Sequence, residues 1–214
     1  MKVYFISGLG ADSRMFKHIR LPEGYEMVHL DWLKPVPGET LGEYAVRMAG
    51  RIDRSEPFAL LGLSFGGMLA SEIAQRYGVA KTILVSSVPL PRHLPFYFHI
   101  GGRIWLHRLL PVSLIKSAAL IKRLFSPETR EDKELLWQVI KESDNDFIRW
   151  AMDAIVRWNG GSASFPYIHI HGTRDEVLPV RYTAPTHRIP RAGHLMVMNR
   201  ADELNGIIRE YLLT

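Results

Sequence analysis

Cysteine is absent from this 214-residue sequence, which removes disulfides, thiolate nucleophiles and zinc–thiolate sites together. Long apolar runs are missing too. Nothing approaches the stretch of about 18 apolar residues that a membrane-spanning helix needs, so no transmembrane segment is expected. The opening MKVYFISGLG has an apolar stretch, Val3 to Ile6, that ends at Gly8 and Gly10; this is too short for a secretory signal and reads instead as a buried strand. Internal repeats and low-complexity tracts are lacking. So are the zinc-finger spacings and aromatic runs that mark nucleic-acid binding, and no nucleic-acid partner is expected. The expected location is cytoplasmic. Charge is moderate in amount, 23% of residues with a net +5. A sum of that size serves solubility, so the placement of the basic residues is more informative than their number.

What is present is enough apolar material, 47% of the chain, for one well-packed domain. Short apolar runs alternate with helix-period segments, which predicts an α/β fold with a mostly parallel sheet covered by helices. Strands are expected at Val3–Ser7, Glu26–Leu30, Phe58–Leu63, Lys81–Ser86, Tyr167–His171 and Thr186–Ile189. A short helix capped by Asp12 or Ser13 should run to His18. Longer ones should follow Thr40, cover Phe65–Tyr77 before Gly78, and close the chain over Ala201–Leu212. From Val88 to Gly161 helical periodicity dominates and no strand is expected. The predicted organisation is therefore a six-stranded core formed by residues 1–87 and 162–214, with a helical insertion at 88–161.

The stretch Gly62-Leu63-Ser64-Phe65-Gly66 lies where a buried strand meets a helix. A reversal that abrupt forces the middle residue into strained geometry and holds its side chain beyond the strand's carboxyl edge. Glycines on either side leave room for the helix to fold back. A turn of glycine and serine serving only as connector and cap is the plainer alternative. A serine nucleophile needs a histidine base oriented by a carboxylate. Of the nine histidines, His194 is best placed, after the last short strand and the small-residue turn Ala192-Gly193. Asp175 lies four residues beyond the strand ending near His171, with Gly172 before it and Pro179 after it. Its plainer roles are stabilising a turn or pairing with Arg174. The oxyanion donors expected are the backbone N–H of Phe65 and, from the Ser7-Gly8-Leu9-Gly10 loop, that of Leu9.

These four motifs, with Gly172-Thr173-Arg174-Asp175 and Gly193-His194 completing the set, resemble the α/β-hydrolase superfamily, and their order Ser…Asp…His is that family's order. The resemblance covers nearly the whole chain outside the insertion. It implies a Ser64–His194–Asp175 triad, a lid formed by the insertion, and no cofactor. Many members carry His-Gly in the oxyanion loop, where Ser7 stands here. The chain also starts at what resembles the family's third strand, as in a compact member.

The expected activity is hydrolysis of an ester or thioester of a small-molecule acyl substrate. Phe96, Trp105 and Trp150 are candidate pocket residues, with lid core as their plainer role. Residues 89–127 hold Arg92, Arg103, Arg108, Lys116, Lys122 and Arg123 and no acidic residue. Leu114, Ala118, Ile121 and Phe125 share one face of a predicted helix, opposite Lys116 and Arg123. Solvated lid charges, an anionic or carrier-linked acyl substrate, and peripheral membrane contact are the three alternatives. Other functions remain open: a lyase or C–C hydrolase using the same triad, a metal-dependent hydrolase built on His169 and His171 with Asp175, or a non-catalytic ligand-binding member.

Overall fold

A computed structural model describes residues 1–103, 111–117, 129–159 and 161–214. Six strands form one sheet: β1 (Lys2–Ile6), β2 (Glu26–His29), β3 (Phe58–Leu63), β4 (Lys81–Val85), β5 (Tyr167–Gly172) and β6 (His187–Ile189). Their order is β2-β1-β3-β4-β5-β6, and every neighbouring pair is parallel. The predicted fold class is the one observed. β3 is buried along its whole length, which is why FALLGL is an unbroken apolar run rather than an alternating one: helices cover both faces.

Side chains alternate across the sheet. Tyr4, Ile6, Leu60 and Leu84 pack on one face with helices α1 (Leu41–Ala49) and α2 (Phe65–Arg76). Val3, Phe5, Leu61, Ile83 and Ile170 pack on the other with the closing helix, Ala201–Leu213. Thr40 starts α1 through a capping box, its hydroxyl accepting from Glu43 N–H while the Glu43 carboxylate accepts from Thr40 N–H. Between β4 and β5 lie α3 (Phe96–Arg103), a helical turn at Val112–Ile115, α4 (Arg130–Glu142) and α5 (Asn145–Val156). No strand occurs there among the described residues. Ala118, Ile121 and Phe125 of the predicted amphipathic face lie outside the described residues, as do Trp105, Arg108, Lys122 and Arg123. None of the helices described is long and apolar enough to cross a membrane.

Two boundaries differ from expectation for identifiable reasons. The helix after Asp12 is a single 3-10 turn, Ser13–Phe16, with the Asp12 carboxylate accepting from Arg14 N–H. Helix α2 ends at Arg76, where Tyr77 is already extended at φ −126° and ψ 144°. Gly78 adopts no left-handed conformation; instead Val79 N–H donates to the Tyr77 carbonyl at 2.7 Å, a tight turn centred on Gly78.

β1 leads to β2 on one side of it, and β2 returns through α1 to β3 on the other side. The carboxyl ends of β1 and β3 therefore meet at a topological switch point, where open α/β sheets form their crevice. A Cβ added to Gly66 would lie within 3.0 Å of the Ile6 and Ser7 carbonyl oxygens, so α2 approaches β1 backbone to backbone. Gly66→Ala is expected to lower the free energy of unfolding by about 2 kcal/mol or more. Gly206→Ala, at an exposed helical position with nothing near its Cβ, should raise it by about 0.5–1 kcal/mol. Urea unfolding of both variants checks the contrast.

Candidate active site

Ser64 joins β3 to α2 at φ 53° and ψ −118°, a conformation that costs a non-glycine residue about 1–3 kcal/mol. Its surroundings hold it there. Ser64 N–H donates to the Val85 carbonyl at 2.9 Å. The Ser64 carbonyl accepts from the Ser87 hydroxyl at 2.6 Å and from Gly67 N–H at 2.9 Å. The turn is thus tied to the end of β4 and to the first turn of its own helix. The Phe65 N–H opens α2, among the amides that have no acceptor within a helix. A Cβ at Gly8 would stand 3.4 Å from Ser64 Cβ, so the loop after β1 runs directly beside the serine, with Leu9 next in it.

That loop is held from two sides. The Ser7 hydroxyl donates to the Ala11 carbonyl at 2.8 Å, and Trp32 Nε1–H donates to the same oxygen at 2.8 Å. Ser7 therefore closes the loop on itself. Trp32 was not singled out from the sequence. Its position just beyond β2, at the carboxyl edge, is the one signal that could have found it.

The loops after β5 and β6 are laced together. Thr173 N–H donates to the Ile189 carbonyl, Arg174 N–H to that of Ala192, and Arg191 N–H to the Thr173 hydroxyl. This lacing brings Asp175 to His194. Asp175 Oδ2 lies 2.7 Å from His194 Nδ1, and His194 Nε2 lies 2.9 Å from Ser64 Oγ. A carboxylate only accepts, so His194 Nδ1 carries the hydrogen, leaving Nε2 to accept from the serine hydroxyl. The other oxygen, Oδ1, accepts from Val177 N–H at 2.9 Å and Leu178 N–H at 2.8 Å. The turn-stabilising role weighed for Asp175 thus coexists with its contact to His194, one oxygen serving each. Glu176 is exposed, as is Arg174.

Asp175 and His194 are buried, while Ser64 is partly exposed. Burial disfavours charge on Asp175, but the neighbouring His194 and His171 outweigh it and hold the carboxyl well below the usual range. His169 and His171 sit behind it, both fully buried, with His169 Nε2 3.0 Å from His171 Nδ1. Burial, reinforced by the adjacent His171, pushes His169 down to about 3. Among the described residues no group of three or more His, Asp or Glu could hold a metal ion.

The candidate pocket residues divide. Trp150 packs at 4.3 Å on Tyr44 and 6.0 Å from Phe65, and its Nε1–H donates to the Glu39 carbonyl. With Trp32 and Phe147 it forms an aromatic cluster against the residue after Ser64. Phe96 is 60% exposed and touches Tyr97. Of the basic residues in the insertion, Arg92 is exposed and Lys116 donates to the Ser143 carbonyl.

Residues 3–207 match the model of a family described as the alpha/beta hydrolase family. A search of the curated proteins found no match. Among solved structures, similarity extends to a thermophilic esterase from Thermogutta terrifontis with malate bound (TM-score 0.79, 22% identity, covering 99% of this chain and 89% of that one). An esterase from Exiguobacterium antarcticum is also similar (TM-score 0.74, 15% identity, 100% and 92% covered). So is an enol-lactonase from Burkholderia xenovorans (TM-score 0.73, 16% identity, 100% and 91% covered). Identities this low establish the common fold alone.

The lowered pKa of His169 has a consequence for stability. As pH falls from the ordinary histidine value of 6.5 toward about 3, the unfolded chain takes up a proton that the folded chain refuses. Stability from this group is full above 6.5 and lost on the way down, at up to about 1.4 kcal/mol per pH unit. Urea unfolding at several pH values should show a shallower loss for His169→Gln than for the unsubstituted chain.

Proposed function

The chain belongs to the alpha/beta hydrolase family, and on that premise we propose that it is a serine hydrolase that cleaves a carboxylic ester or thioester through an acyl-enzyme. The observation that carries this proposal is the continuous series Asp175–His194–Ser64, with contacts of 2.7 and 2.9 Å, at a turn strained at φ 53°. The names of the similar structures, two esterases and an enol-lactonase, agree with carboxylic ester chemistry.

In the proposed reaction Ser64 Oγ attacks the carbonyl carbon as its proton passes to His194 Nε2. The imidazolium so formed is stabilised by the Asp175 carboxylate, which stays ionised. The carbonyl oxygen gathers negative charge facing the N–H groups of Phe65 and Leu9, fixed donors that need no reorganisation during the step. The tetrahedral intermediate collapses, the bond to the leaving alcohol or thiol breaks, and His194 returns the proton to it. Water then attacks the acyl-enzyme, giving its proton to His194. Collapse releases the acid and restores Ser64 with its hydrogen. No step calls for a cofactor.

The substrate in this proposal is a small acyl compound, and the segment at 88–161 acts as the lid that selects it. The partial exposure of Ser64 supports access by a substrate. An anionic or carrier-linked acyl group would be drawn by the basic residues of the insertion, and that attraction should weaken with added salt. Substrate turnover measured across a salt series separates it from a neutral ester, whose rate would stay flat.

The experiment that tests the proposal is labelling with a fluorophosphonate. One label should attach to the unsubstituted chain and none to Ser64→Ala. An unlabelled parent chain would overturn the nucleophile, and labelling that persists in Ser64→Ala would move it to another residue. Against p-nitrophenyl esters, Ser64→Ala and His194→Ala should each lower kcat by about 10⁴-fold or more, and the double variant by no more than the worse single one.

A further inference from the structure

Two buried histidines have no part in the proposed proton transfer, yet they adjoin its carboxylate. His171 is the last residue but one of β5, beside Gly172, and is completely buried. Its Nε2 lies 2.7 Å from the Leu178 carbonyl oxygen and 3.3 Å from Asp175 Oδ2. Both neighbours are acceptors, so Nε2 carries a hydrogen whatever the charge of the ring. On the opposite side Nδ1 meets His169 Nε2 at 3.0 Å, with the two rings edge to face at 87°. Turning the His171 ring over would lose both contacts at once. Burial keeps His169 neutral through the pH range in which esterases are assayed.

We propose that His171 is a positioning residue for this site: its Nε2–H gathers the Asp175 carboxylate and the Leu178 carbonyl, and His169 locks the ring in that orientation. The inference rests on the serine-hydrolase proposal above.

The loop from Gly172 to Leu178 explains why such a part is useful. Asp175 Oδ1 is already held by the N–H groups of Val177 and Leu178, which fixes one end of the carboxylate. His171 reaches the carbonyl at the far end of the same loop and the second oxygen of the same carboxylate. Oδ2 therefore accepts from His194 Nδ1–H along a short contact and lies at the margin of a second, from His171. The second donor draws charge from Oδ2 and makes it a weaker partner for the imidazolium of His194. Removing that donor should leave His194 easier to protonate, so the base would be lost at a higher pH.

Other titratable groups near these rings are few. His93, in the turn after β4, lies close enough to His169 to disfavour its charge. Tyr97 from α3 is influenced by Asp175 and by Tyr182 and Arg181 beyond Pro179. None of them contributes to the His171 contacts described above.

The experiment compares His171→Phe and His171→Gln with the unsubstituted chain. In the glutamine variant the side-chain amide can place a donor near the position of Nε2; in phenylalanine no donor remains. The readout is the rate of fluorophosphonate labelling between pH 5 and 9, with thermal unfolding as the check on folding. His171→Phe should label more slowly, with its acid limb moved upward by about half a unit or more. His171→Gln should return the limb toward its original position. A folded His171→Phe whose acid limb is unmoved would overturn the proposal, because a purely packing role would slow labelling at every pH alike. A second measurement needs no substitution. In the 15N spectrum of the unsubstituted protein, His171 should carry hydrogen on Nε2 across this range, and an unprotonated Nε2 would overturn the proposal on its own. The two proposals fail differently. An unsubstituted chain that takes no label at all sinks the serine-hydrolase assignment, whereas the acid limb and the 15N tautomer sink only the role of His171.

Discussion

At Gly66 the backbone of α2 rests against the carbonyls of Ile6 and Ser7, where a side chain of any size would not fit. That contact sets how steeply the helix leaves β3, and the steepness sets the conformation of Ser64 between them. Gly62 meets the same constraint from below, since a Cβ there would run into Gly66 and Gly67. The strain at Ser64 is offset by backbone hydrogen bonds to Val85 and Gly67 and by the Ser87 hydroxyl. The end of β4 and the first turn of α2 thus hold one residue still. The loop after β1 inherits its place from the same crossing, because β1 and β3 are paired from Lys2 with Phe58 to Ile6 with Gly62.

A second constraint acts at the far side of the crevice. Asp175 divides its two oxygens, one turned to its own loop and one to His194. Burial alone would favour the neutral acid. His194 and His171 reverse that preference, while the backbone N–H groups of Val177 and Leu178 fix the side chain's orientation. Charge and position are therefore set on opposite oxygens, by the histidines at Oδ2 and by the loop at Oδ1.

Much of this was legible in the sequence. The six strands were expected within a residue or two of where they lie, since buried parallel strands form short apolar runs bounded by turn residues. Ser64, Asp175 and His194 were marked by the turns that carry them, and the structure brings these three together. What escaped notice had no local signal. His169 and His171 could be recognised as sharing a strand face, but their link to Asp175 depends on how the loop to Leu178 curls back. Trp32 reaches the Ala11 carbonyl only because β2 lies next to β1. Phe96, weighed as a pocket or core residue, is exposed, and an aromatic in a helical segment does not announce its face when the period is short.

The pairing of β4 with β5 has a further meaning. These strands are hydrogen-bonded neighbours from Thr82 with Tyr167 to Val85 with Ile170, so the sheet would close in the same register around any crossover long enough to return the chain in parallel. The residues joining them leave at Ser86 and re-enter at Pro166, whose carbonyl accepts from Thr82 N–H. Ser64, Asp175 and His194 all lie on elements outside this connection, so their spacing is set by the strands that precede and follow it. In this architecture the frame that spaces the three residues and the crossover between β4 and β5 occupy separate stretches of chain.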